Sequence, residues 1–140
     1  MELKSAVEFA RSHRKGVLGT IRKDGRPQLS NIIFVAQGDE FAISLTTDRA
    51  KTRNLRRDPR AVLYVPGDDF WNFVVLDGTV TLTDVTTEPG DDVCEQLVEY
   101  YRQGAGEHPD WDDYRATVVR EGRLIARFLP TSAAGMLQKG

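Results

Sequence analysis

Cysteine is almost absent from this sequence of 140 residues, since Cys94 is the only one. A single cysteine cannot close an intramolecular disulfide, and Cys94 has no Cys or His neighbour at metal-ligand spacing. The chain also lacks an apolar run of membrane-spanning length, and residues 1–10 lack the apolar core of a signal peptide. We therefore expect a cytoplasmic protein with neither a membrane nor a metal ion as a partner.

A dominant charge is lacking too. The chain has 19 basic and 21 acidic side chains and a net charge of −2, so it has no overall field to attract nucleic acid. It contains no phosphate-binding loop, no glycine-rich dinucleotide fingerprint and no nucleophile elbow. We therefore expect no catalytic side chain and no nucleic-acid partner, and an anion site must come from local clustering.

Turn residues divide the chain into about six extended segments within one domain, residues 1–140. Asp24-Gly25 between two extended runs predicts a β-hairpin, because such turns need residues that tolerate positive φ. Gly78 inside a long strand predicts a bulge. The predicted strands are 17–21, 27–36, 41–47, 61–65, 70–83 and 124–129.

Helical patterns occur at the start, in the middle and near the end of the chain. Asp48 is a candidate cap for a helix over 49–57, and Thr87-Glu88-Pro89 is a candidate helix start. Trp111 and Tyr114 have helical spacing and indicate core packing. Pro130 should end the last strand, which leaves 131–140 as a flexible tail. Together, the predicted strands and helices favour a mainly β, α+β architecture, which would be an antiparallel barrel or sheet with peripheral helices.

A basic segment is the sharpest local feature. Five of the nine residues over 49–57 are Arg or Lys, and Arg49, Lys51 and Thr52 fall in the first turn of the predicted helix. A helix N-terminus favours anions, and arginine binds phosphate in a bidentate manner. A cofactor phosphate site and a solvated basic helix face are equally compatible with this spacing.

Two further segments combine polar or aromatic residues. Gln28 and Ser30 share one face of a strand, and Leu29 and Asn31 share the other, so polar groups could meet the edge of a heterocycle. An edge strand facing water explains the same pattern. The aromatic run over 70–73 could wall a flat ring or anchor an interface, and core packing is its alternative.

These features occur in a recognisable order. Residues 17–31 form the hairpin, Arg-Ala-Lys-Thr-Arg-Asn-Leu occupies 49–55, Phe-Trp-Asn-Phe occupies 70–73, and Trp-Asp-Asp-Tyr-Arg occupies 111–115. Over residues 16–130 the chain resembles the pyridoxamine 5′-phosphate oxidase-like split-barrel superfamily. Within it, the chain is most similar to the actinobacterial F420-dependent flavin/deazaflavin oxidoreductases of the B group. The C-terminal arginine- and histidine-bearing substrate motif of pyridoxamine phosphate oxidases is not found, so vitamin B6 oxidation is not expected.

The resemblance implies a six-stranded antiparallel split β-barrel of the FMN-binding type. It implies a homodimer with cofactor sites at the interface and hydride transfer from reduced coenzyme F420 to a small organic acceptor. An FMN-binding oxidoreductase of the same fold is one alternative. A non-catalytic protein that binds F420 or flavin is another.

The resemblance also implies a set of cofactor-binding residues. Arg49, Lys51 and Thr52 would hold the cofactor phosphate, with Arg53 as a further candidate. Trp71 and Phe73 would reach the ring from the partner subunit. The residues that would line the ring and ribityl chain are Gln28, Ser30, Asn31, Ser44 and Thr46.

Overall fold

The computed structural model describes residues 1–138. In chain order its elements are α1 (Leu3–Arg11), β1 (Lys15–Ile21), β2 (Pro27–Gln37), β3 (Glu40–Thr46), α2 (Ala50–Arg57), β4 (Arg60–Pro66), β5 (Phe73–Leu82), α3 (Asp92–Ala105), α4 (Trp111–Arg120) and β6 (Arg123–Met136). None of the helices in this described part is long and apolar enough to cross a membrane.

The strands close into one barrel. Their spatial order is β1-β2-β3-β6-β5-β4, and β1 pairs with β4 to complete the ring. Every pairing is antiparallel. The expectation of a six-stranded antiparallel barrel with peripheral helices is confirmed.

Glycine permits two of the sharpest backbone features. Gly25 has φ +86° in the β1–β2 turn, where the Asp24 carboxylate accepts a hydrogen bond from the Arg26 N–H at 3.0 Å. At Gly78 the β5–β6 register shifts, and a Cβ there would lie 2.3 Å from the Leu129 carbonyl oxygen. The predicted hairpin turn and the predicted bulge are therefore both present.

The barrel interior is a continuous apolar core, because alternate strand residues point inward. Phe34 and Phe41 meet edge to face with ring centroids 5.5 Å apart, and Phe128 is fully buried. Each such side chain contributes about 1.5–3 kcal/mol by burial.

A second cluster of buried residues holds α3 and α4 against the outside of β2, β3 and β6. The strands supply Val35, Ala42 and Ile125, and the helices supply Leu97 and Val118 among others. The helices α3 and α4 thus cover the outer surface of β2, β3 and β6. A cleft can form where the edge of these helices meets the barrel.

The end of the chain differs from the expectation. β6 continues past Pro130 to Met136 and pairs with β5, so the predictions that Pro130 ends the strand and that a flexible tail follows are wrong for residues 131–136. Pro130 is tolerated because it lies opposite Gly78 at the register shift, where a proline costs no regular ladder hydrogen bond. Residues 139–140 lie outside the described part.

Three other boundaries need correction. Residues 70–72 belong to the turn before β5 and not to the strand. The helix expected from residue 87 begins at Asp92, because the Asp91 side chain caps it by accepting from the Cys94 N–H at 2.8 Å. The N-cap of α2 is Arg49 and has no side-chain cap hydrogen bond, so Asp48 does not cap this helix.

Trp111 and Tyr114 are half-buried and do not belong to the barrel core. They form an outer aromatic cluster with Tyr101 and His108. The ring centroids of these four residues are 5.0–5.7 Å apart. The Tyr114 hydroxyl donates to the Leu97 carbonyl at 2.9 Å. The cluster therefore fastens the two helices to each other.

Candidate functional site

A cleft of about 780 Å³ lies on the outer face of the barrel beside α3 and α4. This volume is in the range of small-molecule and cofactor sites. The strands, the start of α2 and the two helices all contribute to its wall. The lining residues that matter below are Val17, Asn31, Ser44, Lys51, Tyr100 and Arg123.

Strand alternation explains why polar side chains face this cleft. Phe41, Ile43 and Leu45 of β3 point into the barrel core, so the intervening Ser44 faces outward. On β2 the buried Ile32 likewise leaves Asn31 on the outer face. The structure therefore brings two of the predicted ligand residues, Asn31 and Ser44, into one cleft.

Arg123 is a cleft residue that the sequence did not reveal. It is the first residue of β6, and its guanidinium donates to Ser44 Oγ at 3.1 Å. Its Nε and Nη2 donate to the Glu121 carboxylate at 3.1 and 2.9 Å. Arg123 is thus fixed in place by two neighbours, which holds a cation at the cleft with little conformational freedom.

Lys51 lies in the same cleft, in the first turn of α2. Burial lowers the pKa of its ammonium group, and the nearby positive charges of Arg49 and Arg123 lower it further. Lys51 forms no salt bridge within residues 1–138. An anion bound there would relieve this repulsion, so the charges of the cleft favour an anionic ligand.

The end of β3 supplies an unsatisfied polar group beside these charges. Thr46 Oγ1 is buried and has no hydrogen-bond partner within the described residues. Thr52 is fully buried, and its hydroxyl donates to the Thr46 carbonyl at 2.7 Å, which fastens the start of α2 to β3. Such a buried unpaired hydroxyl is unusual in a native structure. Neither Thr46 nor Thr52 is among the residues that line the cleft, so the structure places both predicted residues behind its wall.

Arg49 is exposed at the N-cap of α2. The N–H groups of Thr52 and Arg53 donate to the Arg49 carbonyl, each at 3.1 Å. Because no side chain caps this helix, the N–H groups of Ala50 and Lys51 are left for water or a ligand. Together with Lys51 and Arg123, this turn forms the most anion-attracting part of the cleft.

Three predicted residues lie elsewhere. Gln28 Oε1 accepts from Asn54 Nδ2 at 2.9 Å on the other side of α2, and Arg53 lies on that side too and donates to the Asp48 carbonyl. Ser30 shares the strand face of Gln28, opposite to that of Asn31. The structure does not bring Gln28, Ser30 and Arg53 into the cleft.

The two predicted aromatic residues are in or beside the β4–β5 turn. The Trp71 side chain is 58% exposed and meets Phe70 edge to face, with centroids 4.9 Å apart. Phe73 is half-buried against Tyr64 at 5.7 Å. Neither lines the cleft within this chain, whereas Pro66 at the start of the turn does.

A groove of about 910 Å³ lies on the outer face of β1, β4 and β5, which no helix covers. Its lining is mostly apolar and includes Leu29, which is 70% exposed, and Val62, which is 36% exposed. Val17 lines both the groove and the cleft. The two concave surfaces are therefore neighbours.

The chain matches a known protein family and several solved structures. A family model described as pyridoxamine 5′-phosphate oxidase matches residues 3–126. The solved structure of an F420 reductase is 21% identical with a TM-score of 0.68, and the match covers 96% of this chain and 97% of that one.

Two other solved structures have TM-scores of 0.64. An FAD-binding protein from Mesorhizobium loti is 18% identical, with 95% of this chain and 90% of that chain covered. A heme storage protein from Vibrio cholerae is 16% identical, with 96% of this chain and 95% of that chain covered. At these identities the likeness shows the fold, and the three names differ in what they bind.

Proposed function

The chain belongs to the pyridoxamine 5′-phosphate oxidase family, and on that premise we propose that it is an F420-dependent reductase of the split-barrel superfamily. It would transfer a hydride from reduced coenzyme F420 to a small organic acceptor. The observation that carries this proposal is the anion-attracting turn at the start of α2, where Lys51 and Arg123 line the cleft. The F420 reductase among the similar folds supports it.

The residues in the cleft and beside it fit such a cofactor. Lys51 in the cleft, Arg49 beside it and the N–H groups of Ala50 and Lys51 would hold its phosphate, since a helix start and basic side chains favour anions. Asn31 and Ser44, which face outward and line the cleft, would hydrogen-bond its polar chain and ring. Arg123 also lines the cleft, where the Glu121 carboxylate at 2.9 Å balances part of its charge.

Reduced F420, when bound, supplies the hydride, and that chemistry belongs to the cofactor. The protein's part is to hold the donor ring and the acceptor close together and to keep water out. The α3–α4 wall provides the exclusion, because its apolar cluster anchors it to the barrel. Tyr100 stiffens this wall by donating to the Ile33 carbonyl at 2.9 Å.

The proposal includes a homodimer. The groove exposes Leu29 and Val62 on a face without helices, and an apolar face of this kind favours a protein partner. Because Val17 borders both surfaces, a second copy on the groove would also border the cleft. Trp71 and Phe73 of that copy are the residues that we propose against the cofactor ring.

FMN is the second candidate cofactor. It carries the same type of ribityl phosphate, so the charges at Lys51 favour both molecules. The resemblance to an FAD-binding protein supports a flavin.

A double variant tests the proposal. Arg49→Ala/Lys51→Ala should weaken F420 binding at least 100-fold in a fluorescence titration, because two charges at the phosphate are lost. Lys4→Ala/Arg26→Ala is the matched control, since it removes one lysine and one arginine that are exposed and lie outside the cleft. Equal affinity in the two double variants, with intact far-ultraviolet circular dichroism, would reject the assignment of the phosphate site.

A further inference from the structure

A second basic pocket lies on the opposite side of α2 from the cleft. It has a volume of about 510 Å³ and lies between α2 and the turn that joins β1 to β2. Arg22 and Lys23 come from the turn, and Arg53 and Arg57 come from the helix. Helical spacing explains the separation, because residues 50, 53, 54 and 57 share one side of α2 and Lys51 faces another.

Most of this positive charge has no salt-bridge partner among residues 1–138. Arg57 donates to two neutral acceptors, the Ile21 carbonyl at 2.8 Å and Asn54 Oδ1 at 2.9 Å. Arg53 donates to the carbonyl of Asp48. Within residues 1–138, Lys23, Arg53 and Arg57 form no salt bridge, and of the four cations only Arg22 is paired, with Asp24 at 3.0 Å.

The floor of the pocket contains the buried amide of Asn54 and the half-buried amide of Gln28. Asn54 is only 7% exposed, and its Nδ2 donates to Thr20 Oγ1 at 3.2 Å and to Gln28 Oε1 at 2.9 Å. These bonds fix the orientation of Gln28. They leave Gln28 Nε2 without a hydrogen-bond acceptor in the described part of the chain, so its N–H groups can donate to a ligand.

The guanidinium of Arg57 is held in place before any ligand arrives. Its Nη2 uses both hydrogens on Ile21 and Asn54, which leaves its Nε and Nη1 donors for an anion. A cation fixed by neutral acceptors keeps its full charge and loses little conformational freedom on binding.

We propose that this pocket is a second anion site, which binds a small multivalent oxyanion of phosphate or carboxylate chemistry independently of the cleft. Three cations that form no salt bridge in the described part of the chain converge there with the amide donors of Gln28, and a multivalent oxyanion can accept from several of them at once. The site requires no cofactor in the cleft.

The test uses the apo-protein and two probes, pyrophosphate and citrate, followed by the side-chain amide signals of Gln28 and Asn54 in nuclear magnetic resonance spectra. We expect saturable shifts with at least one probe and none of comparable size at the backbone amides of Asn31 and Ser44 in the cleft. The probe that binds more tightly identifies the ligand chemistry.

Two double variants with the same change in charge decide whether the pocket or the general charge is responsible. Lys23→Gln/Arg53→Gln should weaken the bound probe at least tenfold, because both side chains line the pocket. Arg26→Gln/Arg56→Gln, which lie on the same turn and helix outside the pocket, should change it less than twofold. Equal weakening in both pairs, or no saturable shift with either probe, overturns the proposal.

The binding of the probes to this pocket can be tested separately from the proposed cofactor site. Arg49→Ala/Lys51→Ala leaves all seven pocket residues in place, so probe binding should persist in that variant. Loss of probe binding there would show one shared site instead of two and would overturn the independence that we propose.

Discussion

The cleft and the groove are two outer faces of the same barrel, and they differ in what covers them. The cleft lies beside α3 and α4 and presents Asn31, Ser44 and Arg123, whereas the groove is bare and presents Leu29 and Val62. Leu29 and Asn31 both point outward from β2 and are two residues apart. The outer surface of this strand therefore changes from apolar to polar between two neighbouring side chains. The helices border one face, which we propose as a ligand site, and leave bare the other, which we propose as the contact with a second copy.

The largest expected effect is a loss of stability caused by a substitution in β5, one of the strands that form the groove. Gly78→Ala would place a Cβ 2.3 Å from the Leu129 carbonyl oxygen and 2.8 Å from the Phe128 ring. Overpacking of this kind should destabilise the fold by about 3 kcal/mol and lower Tm by about 10 °C in a thermal melt.

Gly104→Ala is the matched control on the cleft side. Its Cβ would meet only Val35 at 3.4 Å, and alanine favours a helix, so stability should be unchanged or slightly higher. Similar Tm values for the two variants would contradict the close packing that we assign to the bulge.

The second effect concerns association through the groove. Leu29→Glu/Val62→Glu adds two charges to the exposed apolar face and should raise the dimer dissociation constant at least 100-fold, about 2.7 kcal/mol, in sedimentation equilibrium. Leu129→Glu, an exposed leucine outside the groove, should leave association unchanged. A wild-type protein that is monomeric at all concentrations would refute the role of the groove.

A third effect tests how firmly the cover of the cleft is anchored. Asp91 caps α3 and accepts from the Thr86 hydroxyl and from the N–H groups of Thr87, Glu88 and Cys94. Asp91→Ala should therefore cost about 1–2 kcal/mol in urea unfolding. Asp92→Ala, which keeps the cap, should cost clearly less, and equal losses would argue against the capping role.

The smallest effect is a pH dependence from the same residue. Partial burial raises the pKa of the Asp91 carboxyl, but four hydrogen bonds to its ionised form outweigh burial and lower the pKa to about 2. Because this value is below the ordinary 3.8, the stabilisation is present above about pH 4 and is lost as the pH falls toward 2. Asp91→Asn should flatten this part of the stability–pH profile, and an unchanged slope would contradict the assignment.

Local chemistry made part of this structure predictable from sequence. The Asp24-Gly25 turn and the Gly78 bulge follow from backbone preferences of single residues, and both are present. Arg123 could not be found in this way, because its bond to Ser44 joins residues 79 positions apart and depends on the β3–β6 pairing. The extension of β6 past Pro130 depends on a register shift that only the paired strand reveals.

The placement of the predicted ligand residues also depends on how the strands and helices pack. Gln28 and Asn31 belong to one short segment, but strand alternation sends them to opposite sides, and the packing of α2 decides what each one meets. Arg53 and Lys51 separate in the same manner around the helix. Spacing identified the polar and basic segments, and tertiary packing divided their side chains between two pockets.

The most direct test of the central claim is a pair of titrations of the purified apo-protein, one with F420 and one with FMN, read by tryptophan and cofactor fluorescence. We predict micromolar or tighter binding of F420, weaker binding of FMN, and loss of both in Arg49→Ala/Lys51→Ala. Tighter binding of FMN would assign the cleft to a flavin, and binding of neither cofactor would contradict the proposed redox function.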